Sequence, residues 1–305
     1  MRSLLALTPP PHPMTEPQGR GRPAIRLPPQ FAERARDVLD GTVPPVTPRD
    51  AATVMLLRQG AGGQSGGEPG LQVYMLRRRS SMAFAAGAYV FPGGSVDPAD
   101  ADEGIPWAGP DAGEWGRRLD TPAALARILV CAAVRETFEE SGVLLAGPDA
   151  ETVLATTGGA EWEADRRDLL AGTLSLAELL RRRSLVLRSD LLRPWARWIT
   201  PVTEARRYDT RFFAAALPDG QRARDVSGEA DETAWLEPGA ALEAASRREI
   251  SLFPPTAVTL GELRACGTVP AALAARRRMT ALIPQVMVAE GAAWLTVPEG
   301  VEYPL

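Results

Sequence analysis

The segment Arg135-Glu136-Thr137-Phe138-Glu139-Glu140-Ser141-Gly142 sets three carboxylates close together in a stretch rich in helix formers. On a helix, positions 136, 139 and 140 stand at i, i+3 and i+4 and project from one face. Each close pair of like charges there costs about 0.2–0.5 kcal/mol. Gly142 is placed to stop the helix, so the carboxylates also sit at its C-terminal end, where the macrodipole disfavours anions. Selection for helix stability alone would not put them there. A divalent cation reverses the sign of the argument, because Mg²⁺ takes hard oxygen ligands such as a few carboxylates. Arg135, four residues before Glu139, is spaced to orient or partly neutralise the cluster. The plain alternative is a solvated acidic helix face. Against it, five positions of R-E-x-x-E-E-x-G are fixed, and a chance match is on the order of one in a million per start site at average residue usage.

Other chemistries have little to work with. The one histidine, His12, lies in a proline cluster, which removes His-based triads and His metal sites. Cys131 and Cys266 form no CxxC pair, so there is no zinc framework, and a reducing compartment is the simpler setting. Carboxylates, cationic side chains, Tyr or a metal must do the work. A formal net charge of -4 argues against a nucleic-acid backbone as the main partner. The opening Met1–Leu7 run is too short for a signal peptide, and no apolar run reaches the length of a membrane span. The expected setting is cytoplasmic, as a monomer or homodimer, with no membrane partner.

The elements around the acidic helix follow from pattern. Residues 1–45 read as a proline-rich leader, extended or disordered to about Pro29, with a short helix from Gln30 to Asp40 ended by Gly41. Residues 46–305 read as one domain. Strands are expected over Ala51–Leu57, Leu71–Leu76 and Ala88–Phe91. The glycine-rich stretch 60–70 between the first two is a hairpin loop rather than a phosphate cradle, since it does not open a helix. Residues 97–120 read as polar loop anchored by Trp107 and Trp115. The acidic helix starts at Thr121 as N-cap and Pro122 as first residue. A helix over 160–183 is expected next, then strands at Pro194–Thr200, Tyr208–Leu217 and Thr233–Leu236. Helices over Gly239–Arg247, Pro255–Ala265 and Ala271–Arg278 and a closing hairpin, Gln285–Val288 with Ala293–Val297, complete the chain. Strands and helices mix without strict alternation. The fold class is therefore α/β of the α+β type, a mixed sheet sandwiched between helices.

The acidic segment resembles the second half of the Nudix box, G-x5-E-x7-R-E-U-x-E-E-x-G-U with U a bulky aliphatic residue. Phe91-Pro92-Gly93-Gly94 resembles its opening, and Asp100 stands where the family usually has Glu. Arg135 follows Gly94 by 41 positions instead of 14, so about 27 residues are inserted, including 101–120. Thr137 takes a usually aliphatic place. An interrupted box of this kind resembles the subgroup that includes the peroxisomal coenzyme A diphosphatase. Gly87–Gly94, Trp198–Pro201, Arg207–Phe213 and Leu252–Thr256 fit it too.

The resemblance implies a Nudix fold and a Mg²⁺- or Mn²⁺-dependent hydrolase of phosphoanhydride bonds. Its partner would be a small nucleotide-type substrate, with coenzyme A or an acyl derivative as the lead. By the same resemblance Glu139 and Glu140 ligate the metal, and Glu136 is a further ligand or the base for the attacking water. Arg135 holds the carboxylates, Gly94 brings a backbone carbonyl to the metal, and Gly142 allows the turn. Glu229 or Glu232 is the candidate for a further acidic ligand. Arg78 and Arg79, at the end of a strand, and Arg211 are candidates for substrate phosphates, against the alternative of charged strand ends or pairing with the acidic loop. Trp107 and Trp115 are candidates for covering the substrate, and deleting much of 101–120 is expected to alter substrate choice more than metal dependence. Residues 1–28 are expected to be dispensable. The alternatives are a non-catalytic ligand-binding Nudix domain acting as a sensor, a prenyl-diphosphate isomerase that would want a catalytic Cys, and a structural protein with an accidental acidic helix.

Overall fold

The computed structural model describes residues 24–60, 70–78, 87–224 and 230–305. In chain order the elements begin with β1 (Ala24–Arg26), α1 (Gln30–Leu39), β2 (Arg49–Gln59), β3 (Leu71–Arg78), β4 (Ala88–Val90) and β5 (Gly93–Ser95). A 3-10 turn at Pro98–Ala101 follows, then β6 (Trp107–Ala108), α2 (Ala112–Leu119), α3 (Ala123–Ser141) and β7 (Ala146–Gly147). Next come α4 (Ala160–Leu170), α5 (Leu176–Arg182), β8 (Val186–Arg188), β9 (Arg193–Ile199), β10 (Tyr208–Ala216) and β11 (Ala230–Leu236). The C-terminal part holds α6 (Pro238–Ser246), β12 (Ser251–Leu252), α7 (Pro254–Cys266), α8 (Val269–Ala274), β13 (Ala281–Leu282), β14 (Gln285–Ala289) and β15 (Ala292–Thr296).

Alternation along β2 explains the layers. Ala52, Val54 and Leu56 face a core shared with α2, α3 and α5, whereas Met55 and Leu57 face one shared with α6, α7 and α8. Strands buried on both faces read as near-continuous apolar runs, as β2 does. The main sheet runs β12-β4-β3-β2-β10-β9-β13, with β11 joined to β3 and β5 to β2. β10 pairs with β2 and β13 with β9 in parallel, the first over nine residues, while β9 runs antiparallel to β10 and β3 antiparallel to β2, β4 and β11. The sheet is therefore mixed and covered by helices on both faces, as expected.

The stretch read as a polar loop is built instead. Asp111 caps α2, and Trp115 and Leu119 are fully buried between α3 and the sheet. Trp115 meets Phe213 edge-on at 6.0 Å between ring centroids. Trp107 joins a small sheet of β6, β8 and β7. An amphipathic turn hidden in Ala112–Leu119 was masked by its glycines and arginines, and its partners lie far along the chain. Deleting 101–120 would thus remove core rather than trim a substrate loop. Trp115→Ala is expected to destabilise the protein by about 3–5 kcal/mol, the usual range for a buried aromatic. Chemical denaturation reads this, and a loss under 1 kcal/mol would mean that the insertion is peripheral.

Smaller corrections follow similar reasons. The helix expected over 160–183 is two helices, broken at Gly172 in the left-handed region (φ 68°) and restarted by a Ser175/Glu178 capping box. Pro122, not Thr121, occupies the cap position of α3, because the amide of Thr121 closes α2 by donating to Gly116. β1 pairs with β15 of the closing hairpin, and α1 packs on that hairpin through Ala32 and Ala35. Part of the segment expected to be extended is thus a strand. No helix among the described residues is long and apolar enough to cross a membrane. Neither Cys131 nor Cys266 is disulfide-bonded.

Candidate functional site

Two elements meet at the site. α3 packs against β2 and β5, and its last turns face the Gly93-Gly94 pair that opens β5. β5 pairs with β2, setting Gly94 opposite Ala52. That register requires a residue without a side chain. A methyl on Gly94 would overlap the Glu136 carboxylate, and one on Gly93 would overlap the Ala52 carbonyl. The Gly93 amide in turn donates to Glu140 Oε2 at 2.8 Å.

Arg135 organises the rest. Its Nε and Nη2 donate to the two oxygens of Asp100, both at 2.9 Å. Nη1 donates to Glu136 Oε1 at 2.9 Å and to Glu139 Oε2 at 3.0 Å, and Nη2 also reaches the Ser95 carbonyl at 2.9 Å. All five N–H groups of the guanidinium fork are engaged. Asp100 is only 1 % exposed and is delivered by the 3-10 turn, which Asp97 caps while the Asp97 amide donates to Asp100 Oδ2 at 2.8 Å. The insertion thus begins only after the residue that locks Arg135 is in place.

Asp100, Glu136, Glu139 and Glu140 are all buried, and Arg135 bonds to the first three of them. Burial pushes the Glu139 carboxyl up to about 8, against the pull of Arg135 and with further upward pressure from Glu136 and Asp100. Burial works against the Arg135 cation as well, but the Asp100 hydrogen bonds and the three carboxylates outweigh it and hold the guanidinium charged. The carboxylates do not form a closed cage. Among the described residues no three His, Cys, Asp or Glu side chains are gathered around one point, because Arg135 threads between Asp100, Glu136 and Glu139. The donor set decides the question of fit. Three buried carboxylates on one helix face offer the hard oxygen donors that a divalent ion takes, with Glu136, Glu139 and Glu140 able to hold it.

The other candidates are distributed differently. Glu232 is half-exposed, ion-paired with Arg77 at 3.2 Å and hydrogen-bonded to Tyr89. Arg77 alternates with Val73 and Met75, which belong to the core on the sheet face opposite α3. Glu232 is therefore not gathered with the α3 carboxylates. Arg78 alternates with Tyr74 and Leu76, on the α3 face at the end of β3, and is half-buried. Arg211 is 1 % exposed and is held by Asp209 at 2.8 Å and Asp50 at 3.1 Å, so its charge is spent inside the sheet. Arg207 is likewise buried, donating to the carbonyls of Thr200 and Val46. Arg79 and Glu229 lie outside the described residues.

Sequence reasoning passed over Arg166 and Arg224. Arg166, fully buried on α4, donates from Nε to the Glu139 carbonyl at 2.7 Å. The Arg224 amide donates to the Ser141 carbonyl at 2.9 Å. A signal existed for the first: 162, 165, 166 and 169 share one helix face, and a charged residue on that inward face marks a buried ionic contact.

Comparison with known proteins agrees with this arrangement. The family model described as the NUDT19 Nudix domain matches residues 114–263. The chain is 31% identical over 256 residues to the acyl-coenzyme A diphosphatase NUDT19 of Gallus gallus, covering 68% of this chain and 65% of that protein. It is 25% identical over 232 residues to the protein of the same name from Xenopus laevis, covering 63% and 59%. The chain therefore spans less than two thirds of the length of these curated relatives. The crystal structure of a NUDIX hydrolase from Alicyclobacillus acidocaldarius superposes with a TM-score of 0.60 at 28% identity, over 75% of this chain and 97% of that one. With the Gly93-Gly94 pair, the Arg135 lock and the three α3 glutamates in this arrangement, the chain belongs to the Nudix hydrolase superfamily and resembles within it the acyl-coenzyme A diphosphatase NUDT19.

Proposed function

We propose that the protein is a metal-dependent diphosphatase that hydrolyses a phosphoanhydride bond in a nucleoside-diphosphate-linked compound, with coenzyme A or an acyl-coenzyme A as substrate. The observation that carries this reading is the cluster of buried carboxylates on the last turns of α3, packed against a glycine pair that admits no side chain. The curated relatives named as acyl-coenzyme A diphosphatases support the substrate class.

A bound Mg²⁺ or Mn²⁺ supplies charge neutralisation at the diphosphate oxygens, and no covalent protein nucleophile is then required. Glu139 and Glu140 hold the cation, and the Gly93 amide fixes the orientation of Glu140. Glu136 is a further ligand or receives the proton of the attacking water. Arg135 keeps Glu136 and Glu139 apart and aligned through its bonds to both. Arg78 and Arg79 are assigned to the anionic part of the substrate. Arg211 is not, since Asp50 and Asp209 already take up its charge. A reducing, cytoplasmic setting suits the two unpaired cysteines.

The test is a product screen of the purified protein with Mg²⁺ or Mn²⁺ against coenzyme A, acyl-coenzyme A, NADH, ADP-ribose and dinucleoside polyphosphates. The expected result is cation-dependent cleavage of coenzyme A or its acyl form to two phosphate monoesters. Preference for another member of the panel would overturn the substrate class. Silence across it, from folded protein, would favour a ligand-binding domain.

A further inference from the structure

The helix carrying the glutamates ends in an electrostatically poor place. Its last carbonyls point away without intrahelical partners, and the macrodipole adds negative potential beside Glu139 and Glu140. The protein meets this end with side-chain and main-chain donors from two distant segments. Arg166 of α4 donates from Nε to the main-chain carbonyl of Glu139 at 2.7 Å. The Arg224 amide donates to the Ser141 carbonyl, and Thr157 Oγ1 donates to the Gly142 carbonyl at 2.6 Å. Both guanidinium groups close on Gly142, where a methyl group would come within 3.0 Å of Arg224 Nη1 and 3.1 Å of Arg166 Nη1.

The two arginines are themselves held. Arg224 donates to Glu163 of α4 from Nε at 2.7 Å and to the Thr157 carbonyl from Nη2 at 2.8 Å. Glu163 Oε2 lies 3.8 Å from Arg166 Nη1. Gln221, three residues before Arg224, grips the chain leaving α3. It accepts from the Leu144 amide and donates to the Leu144 and Leu154 carbonyls, each at 2.9 Å. A buried Arg is costly to desolvate, so a guanidinium with no exposure that points at the backbone of a candidate ligand residue calls for a role.

We infer that Arg166 and Arg224 are positioning residues: they fix the last turn of α3, and through it the direction of the Glu139 and Glu140 carboxylates toward the cation. The inference rests on the proposed metal-dependent reading. A directed hydrogen bond differs here from mere positive charge. A lysine at 166 keeps the charge but loses the planar fork that reaches the Glu139 carbonyl.

The experiment measures Mn²⁺ affinity without substrate, by the electron paramagnetic resonance signal of free Mn²⁺, alongside kcat and KM. Wild type is compared with Arg166→Lys, Arg166→Gln, Arg224→Lys and Glu139→Gln, each checked for folding by circular dichroism. Both Arg166 variants are expected to weaken Mn²⁺ binding about five- to tenfold and to lower kcat with KM changed less than threefold. Arg224→Lys keeps its main-chain bond to Ser141 and is expected to weaken binding two- to fourfold. It is only partly buried and serves as the readout if the Arg166 variants fail to fold. Wild-type or tighter Mn²⁺ binding in a folded Arg166→Lys protein would overturn the inference, as would an unchanged Arg224→Lys if that variant alone folds. Failure of the underlying reading looks different: Glu139→Gln would then bind Mn²⁺ as tightly as wild type.

Discussion

Glu139→Gln is expected to lower turnover by about 10³-fold, which corresponds to roughly 4 kcal/mol of lost transition-state stabilisation. A cation ligand is asked for several kcal/mol of that kind, and an amide oxygen is a poor substitute for a carboxylate beside a divalent ion. The fold should tolerate the change. Gln has nearly the shape of Glu, its carbonyl oxygen still accepts from Arg135 Nη1, and burial already opposes the charge at this position. The thermal midpoint should therefore stay within a few degrees of wild type. The check is kcat at saturating Mg²⁺ together with a melting curve. A folded mutant that turns over at near wild-type rate would remove Glu139 from the proposed metal set and with it the core of the mechanism.

The second large effect falls on stability. Arg135→Met leaves Asp100, 1 % exposed, with no guanidinium to bond and leaves Glu136 and Glu139 facing each other without their shared donor. Removing one partner of a buried ion pair costs about 3–5 kcal/mol, because the other charge stays behind. At roughly 2–4 °C per kcal/mol for a domain of this class, the midpoint should fall by about 6–20 °C. The double variant Arg135→Met/Asp100→Leu should recover part of the loss, since it removes the stranded carboxylate as well. A single variant with an unchanged melting curve would show that Asp100 finds another partner and that Arg135 is not what holds the cluster. The two substitutions separate chemistry from architecture: the first should stop turnover and keep the fold, and the second should weaken both.

What the sequence determined by itself is what depends on neighbours along the chain. The face of α3 that gathers Glu136, Glu139 and Glu140 follows from helical periodicity, and the left-handed stop at Gly142 (φ 68°) follows from the freedom of a residue without Cβ. The strands β2, β3, β9 and β10 follow from apolar runs bounded by turn residues, and the mixed sheet follows from their irregular alternation with helices. These signals need no knowledge of the partner.

Tertiary structure decided the rest, and the reason is that a charged side chain carries no local mark of what it will meet. Arg211 and Arg166 look alike in sequence. One is held between Asp50 and Asp209 in the sheet, and the other caps the helix that carries the glutamates. Glu232 stands in an acidic stretch that suggested a ligand, but the register of β11 against β3 sets it beside Arg77, across the sheet from α3. Asp100 lies before a long insertion, and only the folding of that insertion into α2 against Phe213 brings its two ends together, so that Asp100 and Arg135 meet across 35 residues. Pairings of that length are set by which apolar faces must be buried together, and the polar groups then take the partners that burial leaves within reach.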